Sequence, residues 1–213
     1  EYGYYFISDT AGEQRLISYA EALDDTNAYD IDWYTAYYLH EMEKINLIDK
    51  TGKSGGGREF YGETLQANDK TLNVSFNTQH VRTDLPMTCF ADVAASSSEH
   101  STFTLQLAGK STMVTIKPIS TSDFETKAES GTMLLKTYPQ TTGRQNVVLY
   151  YDYASSESSS MGYVNYIELN VPLQLTLQGS AISICNTNYL FQTRNTRFTL
   201  TNATATTQIW RVT

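Results

Sequence analysis

The stretch Ser54–Glu63, with the sequence SGGGREFYGE, separates two parts of the chain that differ in character. An acidic, tyrosine-rich segment without a clear period precedes it, and strand-like runs separated by Ser, Thr and Asn turns follow it. Its three consecutive glycines, Gly55 to Gly57, accept positive φ angles at low cost, so the chain is able to turn sharply there. The sequence has neither the Gly-Lys-Ser/Thr ending nor the following helical pattern of a phosphate-binding loop, so we do not read this turn as a phosphate site.

The composition limits the class of protein. A chain of 213 residues is long enough to bury a core, as one large β domain or two smaller units. Only 18% of the residues are charged and the net charge is −8, without a basic stripe to neutralise phosphates, which argues against nucleic-acid binding. No apolar run approaches the about 20 residues of a membrane-spanning helix. The chain begins at Glu1 without an initiator methionine, so we expect a processed or shortened piece of a longer protein.

Alternation with a period of two residues predicts most of the strands. In Thr71–Asn77 the apolar residues alternate with polar ones, and Tyr163–Val171 carries bulky residues on both faces, which suits a strand between two layers. Pro172 is the predicted boundary before the final strands. The other predicted strands are Tyr2–Ser8, Gln14–Ala22, Met87–Ala95, Ser101–Ala108, Thr112–Lys117, Gly131–Tyr138, Asn146–Tyr153, Leu173–Leu177, Ala181–Cys185, Thr196–Thr201 and Gln208–Val212.

These patterns predict an all-β protein, an antiparallel β-sandwich of jelly-roll or galactose-binding type with extra strands at both ends. Trp33–Ile48 is ambiguous, but its aromatic front half favours a strand, and Asp24–Asp32 is predicted to be a polar loop. We divide the chain into an acidic, tyrosine-rich β segment (residues 1–53), the sandwich (54–171) and terminal strands (172–213).

No catalytic constellation is evident in the sequence. The histidines lack an obvious partner, and the two cysteines, Cys89 and Cys185, lie in apolar runs that favour two buried thiols over a disulfide. The aspartates between Asp24 and Asp32 lack the order of a calcium-binding loop, so a solvated loop is preferred to a calcium site. We therefore predict no catalytic residue, no metal site and no cofactor in this chain.

Three runs resemble the region that precedes the catalytic part of PorU-type proteins, the cell-surface signal peptidases of the Bacteroidetes type IX secretion system. The first runs from His40-Glu41 through Asn46-Leu47-Ile48 to Gly57-Arg58-Glu59-Phe60-Tyr61-Gly62-Glu63. The second is Gly162-Tyr163-Val164-Asn165-Tyr166-Ile167-Glu168-Leu169, and the third extends from Thr196-Arg197-Phe198 to Trp210-Arg211-Val212-Thr213. The runs cover most of the chain in the family's order.

The resemblance implies a parent enzyme whose gingipain-like cysteine peptidase domain, with its Cys/His dyad, follows Thr213. That enzyme removes the C-terminal sorting signal from exported proteins and is held at the cell surface by an outer-membrane barrel protein. The resemblance also implies that this fragment is non-catalytic and supplies scaffold and docking surface for the barrel partner, the cargo or the peptidase domain.

Two kinds of partner follow from the aromatic residues. Tyrosine is enriched at protein interfaces, so the segment around Tyr29–Tyr38 is a candidate contact surface, although its rings would equally suit a core. The predicted binding residues are Tyr29, Trp33, Tyr34, Tyr37, Tyr38, Arg58 and Tyr61. The alternative is a carbohydrate-binding module in which exposed rings stack on sugars, with a platform made of Tyr150, Tyr151, Tyr153, Tyr163 and Tyr166.

Overall fold

The computed structural model describes residues 26–47, 59–119, 127–154, 158–184 and 195–209, and these residues form strands and loops without a helix. The predicted strands Tyr2–Ser8 and Gln14–Ala22, the three consecutive glycines Gly55 to Gly57, Arg58 and Cys185 lie outside the described residues. The strands are β1 (Tyr29–Ile31), β2 (Trp33–Glu41), β3 (Thr64–Leu65), β4 (Thr71–Phe76), β5 (Met87–Ser96), β6 (Ser101–Leu107), β7 (Lys110–Ile116), β8 (Glu129–Thr137), β9 (Gln145–Tyr153), β10 (Met161–Gln174) and β11 (Thr196–Phe198).

Eight of these strands form a jelly roll. One sheet has the order β2-β10-β5-β8, with β3 added to β10, and the other has the order β4-β9-β6-β7. The pairs β2–β10, β4–β9, β5–β8 and β6–β7 are antiparallel and nest within one another along the chain, which is the double-sheet arrangement of a jelly roll. The predicted fold class is confirmed.

The core lies between the two sheets. On β10, Ile167, Leu169 and Val171 face inward, and β9 contributes Leu149 and Tyr151; all five side chains are fully buried. Alternation along these strands places the intervening residues on the outer faces, because successive side chains of a strand point to opposite sides.

A β-bulge on β10 breaks this alternation once. The pairing with β5 runs Val164↔Val93 and then Tyr166↔Asp92, so Asn165 is the extra residue. The bulge therefore places Tyr163 and Tyr166 on the same outer face of the five-stranded sheet, although their spacing in the sequence predicts opposite faces.

Part of that outer face is covered by the chain itself. Leu47, Tyr61, Ala94 and Tyr163 form a second, smaller apolar cluster, in which the rings of Tyr61 and Tyr163 meet edge to face at 6.1 Å. Ile45 and Tyr61 are joined by backbone hydrogen bonds, which hold the two covering segments to each other.

Two short strands, from the first and the last described segments, form an additional two-stranded sheet. β1 pairs with β11 in parallel, and the guanidinium of Arg197 donates a hydrogen bond of 2.9 Å to Asp30. The expectation of a polar loop over Asp24–Asp32 was wrong for Tyr29–Ile31, because Ile31 is buried and the three residues pair with β11. The extra strands at both ends are confirmed.

The prediction of a boundary at Pro172 was wrong, because Pro172 lies inside β10 opposite Thr35 of β2. Its carbonyl accepts a hydrogen bond from the backbone N–H of Arg82 on the side of β10 that faces away from β2. The pairing between β10 and β5 has already ended before this residue. The proline nitrogen faces the same side, so its missing N–H removes no hydrogen bond of the ladders with β2 and β5. The predicted strand Leu173–Leu177 is thus partly a continuation of β10, and Ala181–Ile184 form no strand.

Strand β2 lies in the first predicted segment, and β10 continues past the predicted boundary at residue 171. Both strands belong to the five-stranded sheet. The division of the chain at residues 53 and 171 stays a prediction.

Candidate functional site

The exposed part of the outer face of the five-stranded sheet is the candidate site, which we call the outer patch. Antiparallel partners point to the same side of a sheet, so the register defines three rows across β2, β10, β5 and β8. The rows are Tyr37–Asn170–Thr88–Lys136, Leu39–Glu168–Phe90–Leu134 and Glu41–Tyr166–Asp92–Thr132.

Large apolar groups of the outer patch are open to solvent. The exposed fractions are 57% for Tyr37, 44% for Leu39 and 63% for Leu134. Between them Phe90 and Tyr166 stack, with ring centroids 5.8 Å apart and an interplanar angle of 26°. Several exposed apolar side chains on one face mark an interaction surface more often than an isolated exposed leucine does.

Carboxylates surround these rings. Partial desolvation raises the pKa of the Tyr37 hydroxyl, although the ring is largely exposed, and the charges of Glu168 and Glu41 raise it further. Burial also raises the pKa of Tyr166, with the nearby Asp92 and Glu168 adding to the effect. The outer patch therefore combines aromatic and aliphatic surface with a negative potential.

Asp92 is held in an unfavourable environment for an anion. Burial raises its pKa, the charge of Glu59 adds to that rise, and a hydrogen bond from the side chain of Asn165 at the bulge partly opposes it. A bulge beside a perturbed carboxylate is common at functional sites, because the bulge re-aims side chains.

The structure separates the predicted binding residues. Tyr37 and Trp33 lie on the outer face, whereas Tyr34 is only 8% exposed and Tyr38 packs edge to face on Phe76 of the opposite sheet, with 6.1 Å between ring centroids. Alternation along β2 produces this division.

The other predicted residues lie elsewhere. Tyr61 is 5% exposed in the second apolar cluster, and burial, together with the charges and hydrogen bond of its carboxylate neighbours, raises its pKa to about 12. Tyr29 is half-buried in β1, and Arg58 lies outside the described residues. Buried Tyr34 and Tyr61 are thus not available as surface contacts, and a binding role for the others stays a prediction.

Sequence reasoning missed Leu39, Phe90 and Leu134 as candidate surface residues. Phe90 stands among small apolar residues in MTCFADV, a pattern that reads as fully buried, and the stack on Tyr166 depends on a bulge that alternation does not reveal.

The five tyrosines of the predicted sugar platform do not share a surface. Tyr151 and Tyr163 are buried, and Tyr153 lies on the inner side with the Lys70 ammonium 4.3 Å above its ring. Tyr150 lies on the outer face of the four-stranded sheet, and Tyr166 lies on the outer face of the other sheet. The prediction that these five tyrosines form one sugar-binding platform was therefore wrong.

A polar cleft of about 560 Å³ lies at one end of the sandwich, where the β4–β5 and β8–β9 loops meet the end of β10. Arg82 is fixed there by hydrogen bonds to Asp32 (2.7 Å) and to both oxygens of Asp84 (2.9 and 2.8 Å). The N–H of Val81 donates to the carbonyl of Thr142, and the N–H of Gln174 donates to that of His80, so the backbone around the cleft is held in place.

The first two of the runs that resemble PorU-type proteins meet at one corner of the fold. The imidazole of His40 lies 2.7 Å from a carboxylate oxygen of Glu63, and the N–H of Gly62 donates to the carbonyl of Val164. A Cβ at Gly62 would lie 2.6 Å from that of Met42, so the close packing needs glycine. These contacts hold the segments together.

Cys89 is a free, fully buried thiol, and burial raises its pKa to about 12, so it is not a nucleophile. Among the described residues no three or more His, Cys, Asp or Glu side chains are grouped in a way that could hold a metal ion. The described part of the chain also contains no helix with the length and apolarity to cross a bilayer.

No family model and no curated protein match this sequence. Among solved structures, dimeric latent PorU from Porphyromonas gingivalis superposes with a TM-score of 0.62 and 18% identity, over 78% of this chain and 15% of the PorU chain. At this identity the likeness shows a shared fold alone, and the chain corresponds to a small part of PorU.

Two carbohydrate-binding modules also match in part. Module CBM36, solved with calcium and xylotriose, gives a TM-score of 0.37 at 18% identity over 63% of this chain and 98% of that chain. The CBM36-1 domain of a xylanase from the hindgut metagenome of Trinervitermes trinervoides gives 0.35 at 11% identity over 70% and 99%. Both TM-scores are too low to carry an argument about function.

Proposed function

We propose that this chain is a non-catalytic β-sandwich module of a larger PorU-type cell-surface signal peptidase, in which it provides scaffold and a docking surface for a protein. The observation that carries the docking role is the outer patch, an exposed apolar and aromatic area next to a part of the same face that the chain covers itself. The PorU-like fold and the three family-like runs support the assignment to this kind of parent.

In this proposal the peptidase chemistry belongs to a domain that follows Thr213. The module contributes no catalytic group, and it needs no metal or cofactor. The parent protein acts at the outer membrane, and its partners are an outer-membrane barrel protein of the type IX secretion system and the exported cargo.

Two measurements test this proposal. An antibody raised against the 213-residue chain should detect, in outer-membrane fractions, a protein several times heavier than 23.9 kDa. In the tagged full-length parent, removing this module should abolish co-purification of the barrel partner or cargo while cleavage of a short peptide substrate continues. A band near 23.9 kDa, or unchanged co-purification without the module, contradicts the proposal.

Carbohydrate binding is the second candidate, and the polar cleft favours it. Amide, guanidinium and carboxylate groups from Gln79, Arg82, Asp84 and Gln174 line the cleft on a fixed backbone, and such groups can hydrogen-bond sugar hydroxyls. Affinity electrophoresis in gels that contain soluble polysaccharides should retard the chain if this function holds. The double variant Gln79→Ala/Gln174→Ala should then migrate freely, and the docking proposal expects no retardation of either protein.

A further inference from the structure

The side chains of the outer patch allow an inference about the chemistry of its partner. We propose that it binds a basic, apolar protein segment whose Lys or Arg side chains lie over the Phe90–Tyr166 ring pair, between Asp92 and Glu168. This inference rests on the proposed docking function and identifies the surface and the chemistry of the partner.

The arrangement of rings and carboxylates is the first argument. Phe90 and Tyr166 form a stacked pair, and each is paired across the strands with a carboxylate, Phe90 with Glu168 and Tyr166 with Asp92. A cation over an aromatic face is attracted by the ring, and neighbouring carboxylates add ion pairs to the same group. Arginine suits such a position because its planar guanidinium stacks on rings and donates to carboxylates at once.

The balance of charge is the second argument. The three rows of the outer patch contain three carboxylates, Glu41, Asp92 and Glu168, and one amine, Lys136 at the far edge on β8. Complementary potentials guide association and exclude partners of the wrong sign. A second copy of this chain would double the number of carboxylates in the interface, which disfavours self-association through the patch.

The apolar groups define the rest of the contact. Leu39 and Leu134 stand at opposite ends of the row that contains Glu168 and Phe90, and Tyr37 lies one row away. A partner that covers them must carry apolar side chains on both sides of its basic group. An extended segment with a basic residue at one position and apolar residues two positions to either side fits this spacing, because alternate side chains of an extended chain point to the same face.

The environment of Asp92 is consistent with a binding role. It is half-buried near Glu59, an arrangement that disfavours its charge in the free protein. A cation from a partner would compensate that cost, and proteins commonly retain unfavourable groups where function needs them.

A defined peptide probe tests the proposal. We would measure by fluorescence anisotropy the binding of two labelled peptides to the 213-residue chain. The Lys/Leu peptide repeats the unit Leu-Ser-Lys-Ser, which places Leu and Lys in turn on one face of an extended segment, and the Glu/Leu peptide repeats Leu-Ser-Glu-Ser. The Lys/Leu peptide should bind, with an affinity that falls as salt rises, and the Glu/Leu peptide should not.

Variants of the outer patch separate this site from general attraction to an acidic protein. Tyr37→Thr/Leu134→Thr and Asp92→Asn/Glu168→Gln should each weaken binding of the Lys/Leu peptide by at least about fivefold. The matched controls are Met113→Thr/Tyr150→Thr, two exposed apolar residues on the other sheet, and Asp69→Asn/Glu99→Gln, which removes the same charge elsewhere. Both controls should bind as the unmodified chain does. Circular dichroism and melting of every variant establish that each is folded.

Three results would overturn the proposal: no binding of the Lys/Leu peptide, an equal loss in patch and control variants, or a dimer of the chain that Tyr37→Thr/Leu134→Thr disrupts. The same patch variants in the full-length parent distinguish this inference from the proposed function. If removal of the module abolishes co-purification but the patch variants retain it, the docking function stands and the outer patch is not the docking site.

Discussion

Replacing Gly162 with alanine is expected to destabilise the sandwich by about 1 to 2 kcal/mol, although alanine is the smallest possible addition. A Cβ at this position would lie 2.8 Å from Cζ of Phe103 and 3.0 Å from Cγ of Tyr151. Both rings are fully buried, with centroids 4.6 Å apart, so neither can move away without disturbing the other.

The magnitude follows from two opposing effects. Adding a methyl group to a filled core costs about 1 to 3 kcal/mol, and the lower entropy of the unfolded chain returns about 0.4 to 1 kcal/mol when alanine replaces glycine. For a chain of this length the net cost lowers the melting temperature by roughly 2 to 8 °C.

Urea unfolding followed by intrinsic fluorescence measures this change. Gly143→Ala is the matched control, because no atom lies within 4 Å of a Cβ built there, and it should leave the free energy of unfolding within about 0.5 kcal/mol. In a Phe103→Leu background, which removes Cζ, the cost of Gly162→Ala should fall by at least about 0.5 kcal/mol. If Gly162→Ala is as stable as the unmodified chain, or its cost is unchanged beside Phe103→Leu, the packing argument is refuted.

Three further changes test other parts of the core and the outer patch. Tyr151→Phe should cost about 1 to 2 kcal/mol because it leaves the buried hydroxyl of Ser160 without its 2.7 Å hydrogen bond, and adding Ser160→Ala should cost less than the sum of the single changes in a double-mutant cycle. The Cys89 thiol, with its pKa near 12, should resist an alkylating reagent in the native protein at pH 8 and react only after urea is added; rapid native alkylation at this residue would contradict its burial. Asp92→Asn should raise the melting temperature at pH 7. The pKa of Asp92 is raised in the folded protein, so the ionised carboxylate destabilises the fold. Stability therefore falls as the pH rises from the ordinary carboxyl pKa through the higher folded-state pKa of Asp92. The difference should disappear below about pH 3.5, where the carboxyl is protonated in both states, and a gain that persists there would show that charge is not its cause.

The strands were predictable because one face of each is buried. In Thr71–Phe76 the apolar residues alternate regularly, and the structure has a strand over those residues. The ambiguous segment from Trp33 also resolves as a strand over its aromatic half, where rings suit a half-buried sheet surface.

Pro172 shows where local rules fail. A proline predicts the end of a strand unless its missing N–H lies on a side where no neighbouring strand needs it. Pro172 meets this condition, because β5 pairs with β10 only as far as Asn170. The reach of a neighbouring strand is set by the topology and is not encoded in the residues around the proline.

The candidate site was only partly predictable. The aromatic run of β2 drew attention to Tyr37, but composition alone gave the same weight to Tyr34, which alternation turns inward, and to Tyr61, which the second cluster buries. Phe90, Leu39 and Leu134 join one row only because β2, β10, β5 and β8 lie side by side in that order.

The sequence by itself determined that this chain is built of antiparallel strands, because alternation with a period of two is a local property that each strand carries independently. It also determined the acidic character and the absence of a basic stripe. Only the tertiary structure decided which strands are neighbours, that the bulge at Asn165 turns Tyr166 to the same face as Tyr163, and that Gly162 lies against two buried rings. These features depend on contacts between residues far apart in the chain, and local periodicity holds no information about such contacts.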